Sequence, residues 1–352
     1  MKKISEMVKD QSSLFKLTGL TVVPKAARAP KQKDTKRNYR EEENDSQLAL
    51  FNVMAHYRDV RNTGGSPQLV QIAQSLILCG LPYRSTPETR VERIARQGDG
   101  TFIRVTFYAL ARDAQGNQIP MPFGADRTLL HFGIDKAIKL QSNFISIDNP
   151  TDYLLAIGKT LSGNNYAALR ESLRRLSGLS IVVERFAPGK SGHDETRQTL
   201  PVLEAAYIPS RLDKDTPNAL EIPCGLRFGE NFFNEINRHH VPFPWELLSK
   251  LSAKPQMQDI ILNLHRRSFA AKTTTTVPWE YLRQQMWHDD SNRRRIRERF
   301  HKAIELLKTA WPELNAEAKT RGLLIGPPHG GKHLFDPYLA ETKYLESDSL
   351  PH

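Results

Sequence analysis

Ser291-Asn292-Arg293-Arg294-Arg295-Ile296-Arg297-Glu298-Arg299-Phe300-His301-Lys302 carries a dense basic run on a helical pattern. At 100° per residue Ile296, Phe300, Ala303, Ile304 and Leu307 share one apolar stripe, the face a helix buries against its own domain. Ser291, Arg294, Arg295, Glu298, His301 and Lys302 fall on the opposite side. Asp289, Asp290 or Ser291 is expected to cap the helix by accepting from its free amides, which puts the basic cluster on the first two turns. Those turns enter the major groove in helix-turn-helix proteins. Taken alone, such a run also fits a solvated charged face. The neighbouring sequence favours the DNA-reading alternative.

A displacement of 127 positions lays Asn164 to Arg175 over Ser291 to Lys302. Leu169, Leu173 and Leu176 then match Ile296, Phe300 and Ala303, and Asn164-Asn165 matches Ser291-Asn292. A short helix is expected upstream of each, at Asp152-Tyr153-Leu154 and Glu280-Tyr281-Leu282, and before it a β-prone stretch, Asn143 to Asp148 and Thr273 to Val277. After the first reading helix Leu179 to Phe186 reads as a strand, Ala187 to Gln198 as a polar hairpin tip, and Thr199 to Ile208 as the returning strand. In the second copy the returning element is Thr320 to Ile325, stopped by Pro327-Pro328. Helix, turn, helix and hairpin is the winged-helix order. The expected fold is therefore α+β, with two winged-helix domains and a disordered basic N-terminal arm.

Chain organisation gives the expected boundaries. Residues 1 to 44 form a flexible arm, because seven basic residues and a single Asp34 lie between Lys25 and Arg40 with little apolar surface to bury. Residues 45 to 228 form the first domain, 229 to 328 the second, and 329 to 352 an irregular tail. Helices are expected at Gln47 to Val60, Pro67 to Leu81, Ala125 to Lys139, Asn231 to Ile236, Trp245 to Leu251 and Gln256 to Phe269. Further strands are expected at Thr101 to Ala111 and Leu220 to Phe228, and a turn at Asp113 to Asn117.

In 352 residues, 50 Lys and Arg against 39 Asp and Glu give a formal charge of +11, which favours a polyanionic partner. No apolar run is long enough to span a membrane and no signal-peptide core is visible, so a cytoplasmic protein is expected. Cys79 and Cys224 are far apart without metal-ligand spacing and read as buried, reduced thiols.

Several blocks resemble the plasmid-encoded RepA family of replication initiators. They are Pro122-Phe123-Gly124-Ala125-Asp126-Arg127-Thr128-Leu129-Leu130, Leu176-Ser177-Gly178-Leu179-Ser180-Ile181, and Gly229-Glu230-Asn231-Phe232-Phe233-Asn234-Glu235-Ile236. Val241-Pro242-Phe243-Pro244-Trp245-Glu246-Leu247-Leu248 followed by Lys254-Pro255 completes the set, which runs from about Phe102 to Ile325. The resemblance implies a protein that binds repeated sites in a plasmid origin and helps the host initiator and replicative helicase open and load onto it. It also implies a switch between an autorepressing homodimer, here expected through the first domain, and an origin-binding monomer. The chain departs from the family pattern at Leu161 to Tyr166, where a Gly- and Arg-rich turn is expected. Base reading and phosphate holding both stay open for the first domain.

Three other patterns suggest chemistry. Gly326-Pro327-Pro328-His329-Gly330-Gly331-Lys332 has the glycine and lysine spacing of a phosphate loop, but His333 stands where magnesium needs Ser or Thr, and the prolines remove amides. Adjacent His239 and His240 would point to opposite faces of a strand, so a surface loop fits them better than a metal pair. Asp289-Asp290 is explained by capping.

No catalytic group, cofactor or metal is expected. Arg294 and Arg295 are the expected base readers, since Arg to guanine is the commonest specific contact. Arg293, Arg297, Arg299 and Lys302 are expected on phosphates, with Ser291 and Asn292 at the helix start and Arg321 near the second hairpin. Glu298 is read chiefly as an i,i+4 partner of Arg294 or Lys302. Asn164, Asn165, Arg170, Arg174, Arg175, Lys190 and Arg197 would follow the backbone from the first domain. Ala167 and Ala168 lie over Arg294 and Arg295 at this displacement, so the first helix is expected to add affinity more than sequence choice. The alternatives are a transcriptional regulator of the same fold and, from another class, a strand-nicking replication enzyme.

Overall fold

The computed structural model describes residues 35–65, 67–96, 99–147, 150–208, 225–286 and 292–335, with side chains from Gln47 onwards. Ser291, Asp289, Asp290 and Cys224 lie outside the described residues, as do residues 1–34 of the expected arm and 336–352 of the expected tail. Two compact units divide between Asp45 and Ser46. The described part of the first is the opening of a helix, α1 (Thr35–Asn62). The expectation that the arm extends unstructured to residue 44 is thus corrected over its last ten positions. Extending a helix adds a hydrogen bond per residue without a new nucleus, and Arg40-Glu41-Glu42-Glu43 are good helix formers.

The second unit, Ser46–His352, is built around two apolar cores. Its second half contains a complete winged-helix unit: α8 (Pro255–Ala270), β10 (Thr275–Pro278), α9 (Trp279–Met286), α10 (Arg293–Ala310), β11 (Ala316–Ala318) and β12 (Gly322–Ile325). The strands form one antiparallel sheet in the order β10-β12-β11, so the last strand lies between the other two. Gly322 is required where β12 meets β10, since a Cβ there would stand 2.3 Å from the Val277 carbonyl oxygen.

The same order recurs upstream. There α3 (Asp126–Leu140), β4 (Phe144–Ser146), α4 (Pro150–Ala156), α5 (Gly163–Ser177), β7 (Leu203–Tyr207) and β8 (Gly225–Phe228) carry a sheet ordered β4-β8-β7. Both units place strand, helix, helix and hairpin identically. The fold is α+β with two winged-helix units.

Between α5 and β7 the first unit carries an insertion that sequence reading took for its wing. It is the hairpin β5 (Leu179–Gly189) and β6 (Gly192–Pro201), paired as far as Gly189 and Gly192. It forms a four-stranded sheet, β2-β3-β5-β6, with β2 (Arg90–Arg96) and β3 (Phe102–Ala109). The expected strand Thr199 to Ile208 is two strands in two sheets. The chain changes sheet at Val202, whose amide still donates to the Leu179 carbonyl while its own carbonyl accepts from Gly229. Pro201, with no amide to donate, ends the first ladder.

Segment Pro67 to Leu81 is not the expected single helix. It is β1 (Leu69–Ala73) and a short helix, α2 (Gln74–Leu78). A short apolar run reads equally as strand or helix, and pairing with β9 (His240–Pro244) decides it. The helices α6 (Glu230–Arg238) and α7 (Trp245–Lys250) flank β9.

The cores do not follow the expected boundary at residue 228. Leu50, Met54 and Tyr57 of α1, with Val70, Ile72 and Ile77, pack into the second core, while Phe232 and Ile236 of α6 pack into the first. Part of the expected tail is also ordered: Leu334 and Phe335 are buried, and the Leu334 carbonyl accepts from the Tyr57 hydroxyl at 3.3 Å.

Candidate nucleic-acid interface

Helix α10 turns a buried stripe of Ile296, Phe300, Ala303, Ile304 and Leu307 to its own core, as its spacing requires. Asn292, rather than one of the residues before it, is the N-cap: its Oδ1 accepts from the Arg295 amide at 3.2 Å. The dipole of this helix start and the arginines beside it produce one field, attractive to phosphate.

The exposed side resolves into three strips. Arg294, Glu298, His301 and Lys302 stand farthest from the core and are all exposed. Arg294 Nε donates to Glu298 Oε1 at 2.8 Å, the i,i+4 pair expected for Glu298, and this holds its carboxyl below the usual range. Arg293 and Arg297 are exposed on one flank. Arg295 and Arg299 lie one turn apart on the other, where they line a cleft of about 700 Å³ with Pro82 to Glu88 and Arg90 to Arg93. The β11–β12 hairpin is closed by Lys319-Thr320-Arg321, with the Lys319 amide donating to the Gly322 carbonyl at 3.0 Å. Arg321 is exposed at this tip beside Lys319, whose cation sequence reading did not select.

The corresponding helix of the first unit is less cationic. Ser162 caps α5, its hydroxyl accepting from the Asn165 amide at 3.4 Å. The caps Ser162 and Asn292 stand 130 positions apart, whereas the buried stripes Leu169, Leu173, Leu176 and Ile296, Phe300, Ala303 match at the expected displacement of 127, so the caps are offset from the stripes by three residues. A three-residue offset is close to one helical turn, so a cap can shift by that much while the buried stripe keeps its own register. By cap register Arg294 and Arg295 lie over Asn164 and Asn165, not over the exposed Ala167 and Ala168.

Asn165 turns its side-chain amide inward to the Thr160 carbonyl at 2.7 Å, while Asn164 is exposed. Arg170 and Arg174 both meet Glu171, at 3.3 and 3.1 Å. Arg175 is not a backbone-tracking cation: it grips Asp126 with two bonds of 2.6 and 2.8 Å and lies over the Phe123 ring. Asp126 also accepts from the Phe123 amide, so this carboxylate fixes the start of α3 and the end of α5 together. Arg197 donates to the buried Glu184 across the β5–β6 hairpin, and Lys190 is exposed at the tip. Both sit on the inserted sheet and not on the wing of the winged-helix unit.

The other patterns resolve structurally. In Gly326 to Lys332 the amides of Gly326, His329, Gly331 and Lys332 all donate to carbonyls of the chain, so these four are not turned to a phosphate. His239 and His240 are not in a surface loop. His239 caps α6, and half-buried His240 belongs to β9, with its Nδ1 2.8 Å from the Ile236 carbonyl. Cys79 is fully buried and its thiol is pushed up to about 12. Among the described residues no helix is long and apolar enough to cross a membrane, and no cluster of three His, Cys, Asp or Glu could hold a metal ion.

No protein-family model matches the chain, and no curated protein matches it. Among solved structures it is similar to the crystal structure of RctB domains 2-3, residues 155-483, with 15% identity over 69% of this chain and 83% of that one and a TM-score of 0.37. A second crystal structure of RctB domains 2 and 3, a selenomethionine derivative, matches with 14% identity over 60% of this chain and 75% of that one at a TM-score of 0.36.

Proposed function

We propose that this chain is a sequence-specific, noncatalytic binder of duplex DNA that initiates plasmid replication from repeated origin sites. The observation that carries the reading is the exposed basic face on the capped N-terminal half of α10 within a winged-helix unit. A helix so presented fits a major groove about 12 Å wide, its outermost side chains meeting base edges and its flanks the phosphates. The charge of +11 supports a polyanionic partner. Resemblance of the Asp126, Gly229 and Val241 blocks to RepA initiators points to an origin as the target, and to host initiator and helicase as partners.

The first unit holds fewer unengaged cations on its reading helix and would contribute affinity and any self-association. Arg294 and Lys302, on the outermost strip of α10, are assigned to bases, which moves Lys302 from the phosphate role expected from sequence. Arg293, Arg297 and Arg321 are assigned to phosphates. DNase footprinting of the full chain on the noncoding DNA of its own replicon tests the reading: protected repeats beside an AT-rich segment support an initiator. A lone protected inverted repeat over a promoter would make it a transcriptional regulator. Cleavage of supercoiled plasmid in the presence of magnesium or manganese would make it a nicking enzyme.

A further inference from the structure

A cleft of about 700 Å³ runs beside α10. One wall is the loop Pro82 to Glu88 and strand β2; the other is Arg295 and Arg299 of α10, with Gln256 and Met286 between. Five arginines line it, Arg84, Arg90, Arg93, Arg295 and Arg299, against two carboxylates, Glu88 and Glu92. One of those carboxylates is engaged, since Glu92 pairs with Arg90 at 2.9 Å and with Arg104 at 3.6 Å. Arg84 is exposed and makes no ion pair among the described residues.

Arg93 is the most informative member. It is only 5% exposed, and one amino group donates to the Glu92 carbonyl at 3.1 Å. Its Nε, buried, has no hydrogen-bond partner among the described residues. A buried guanidinium donor left unmade costs free energy, and this guanidinium also lines the cleft wall. The cleft is open to solvent and continuous with the basic flank of α10. Its shape and charge suit a strand of phosphodiester better than an enclosed small molecule.

We propose that this cleft seats the phosphate backbone of the DNA strand running past α10, so that Arg84, Arg93, Arg295 and Arg299 form a phosphate seat built from both halves of the chain. The proposal rests on the DNA-binding reading and deepens it. It reassigns Arg295 from base reading to backbone and adds Arg84 and Arg93, which lie on the other wall. DNA would then bind only where the β2 loop and α10 are held side by side.

The test uses the full chain and a labelled random-sequence duplex of about 30 base pairs, with affinity measured across a salt series. Arg84→Ala and Arg299→Ala should each lower the log-affinity versus log-salt slope by about 0.9, and the double variant by about 1.8. Lys308→Ala, on the last turns of α10 outside the cleft, should leave the slope unchanged. Arg84 is exposed, so its removal should leave Tm unchanged and the result readable. Unchanged slopes for both cleft variants, with Arg297→Ala lowering the slope, would overturn the seat while leaving DNA binding intact. Loss of thermal protection by inorganic pyrophosphate in Arg84→Ala, without a change in DNA slope, would also overturn it and make the cleft a small-anion site. Failure of the wild-type chain to bind any duplex would remove the underlying reading itself.

Discussion

Arg127 on α3 and Asp259 on α8 meet at 3.2 Å with side chains 3% and 7% exposed, joining the leading helices of the two winged-helix units. Arg127 also donates to the Leu81 carbonyl at 2.6 Å and lies over the Tyr83 ring. Beside this pair Thr128 and Gln258 hydrogen-bond across the same junction. Gly80 makes the approach possible, because a Cβ there would fall 2.2 Å from Asp259 Oδ2. Breaking a buried pair leaves an uncompensated charge, so Arg127→Met should lower stability by about 3–5 kcal/mol in urea unfolding.

Burial pushes the Asp259 carboxyl up to about 6, with Arg127, Tyr83 and Arg93 pulling it down. A carboxyl that holds its proton more tightly when folded adds stability below its unfolded value of 3.8, and that stability is lost as pH rises through about 6. The Asp259 contribution should therefore grow as pH falls from about 7 towards 4. Urea midpoints measured across this window should show a component that disappears in Asp259→Asn. An identical pH profile in the variant would mean the carboxylate is ionised throughout.

Asp126→Ala should destabilise the chain on the order of 3 kcal/mol, since it frees Arg175 in a half-buried setting and removes the acceptor of the Phe123 amide. Well below the transition, Arg175→Ala should bind DNA with the salt slope of the wild type. A lower slope would return Arg175 to the phosphate contacts.

The isolated stretch 229–326 covers nearly all of the second domain expected from sequence at 229–328. It omits Leu50, Met54 and Tyr57 of α1, the β1 partner of β9, and the buried Leu334 and Phe335. Near-ultraviolet circular dichroism of that fragment should show no fixed aromatic packing, whereas a chain beginning at Thr35 should keep it. A native-like spectrum from 229–326 alone would show that these residues are dispensable.

Reading of the winged-helix order succeeded where periodicity is strong and local. The stripes of α3, α5 and α10 and the short helices α4 and α9 lie where their apolar spacing put them. What sequence hid was decided by distant partners. Leu69 to Ala73 becomes a strand only because Val241 to Pro244 lies beside it. The β5–β6 hairpin reads as a wing until β3 is seen to pair with it, and β2 was not marked at all. Arg175 looked like its neighbours because its carboxylate partner lies 49 positions away. The cleft arginines Arg84 and Arg93 had little signal of their own, since Arg84, Arg90, Arg93 and Arg96 are interleaved with Glu88, Glu92 and Asp99 and nothing local tied them to α10.

We propose that α10 reads DNA sequence through Arg294 and Lys302. In vitro selection from a random duplex library with the full chain measures this directly. An enriched site is expected whose preference at one base position relaxes in Arg294→Ala, with a loss of about 1–3 kcal/mol on that site and much less on random duplex. No enriched sequence, or an enriched sequence recovered unchanged by Arg294→Ala and Lys302→Ala, would contradict it.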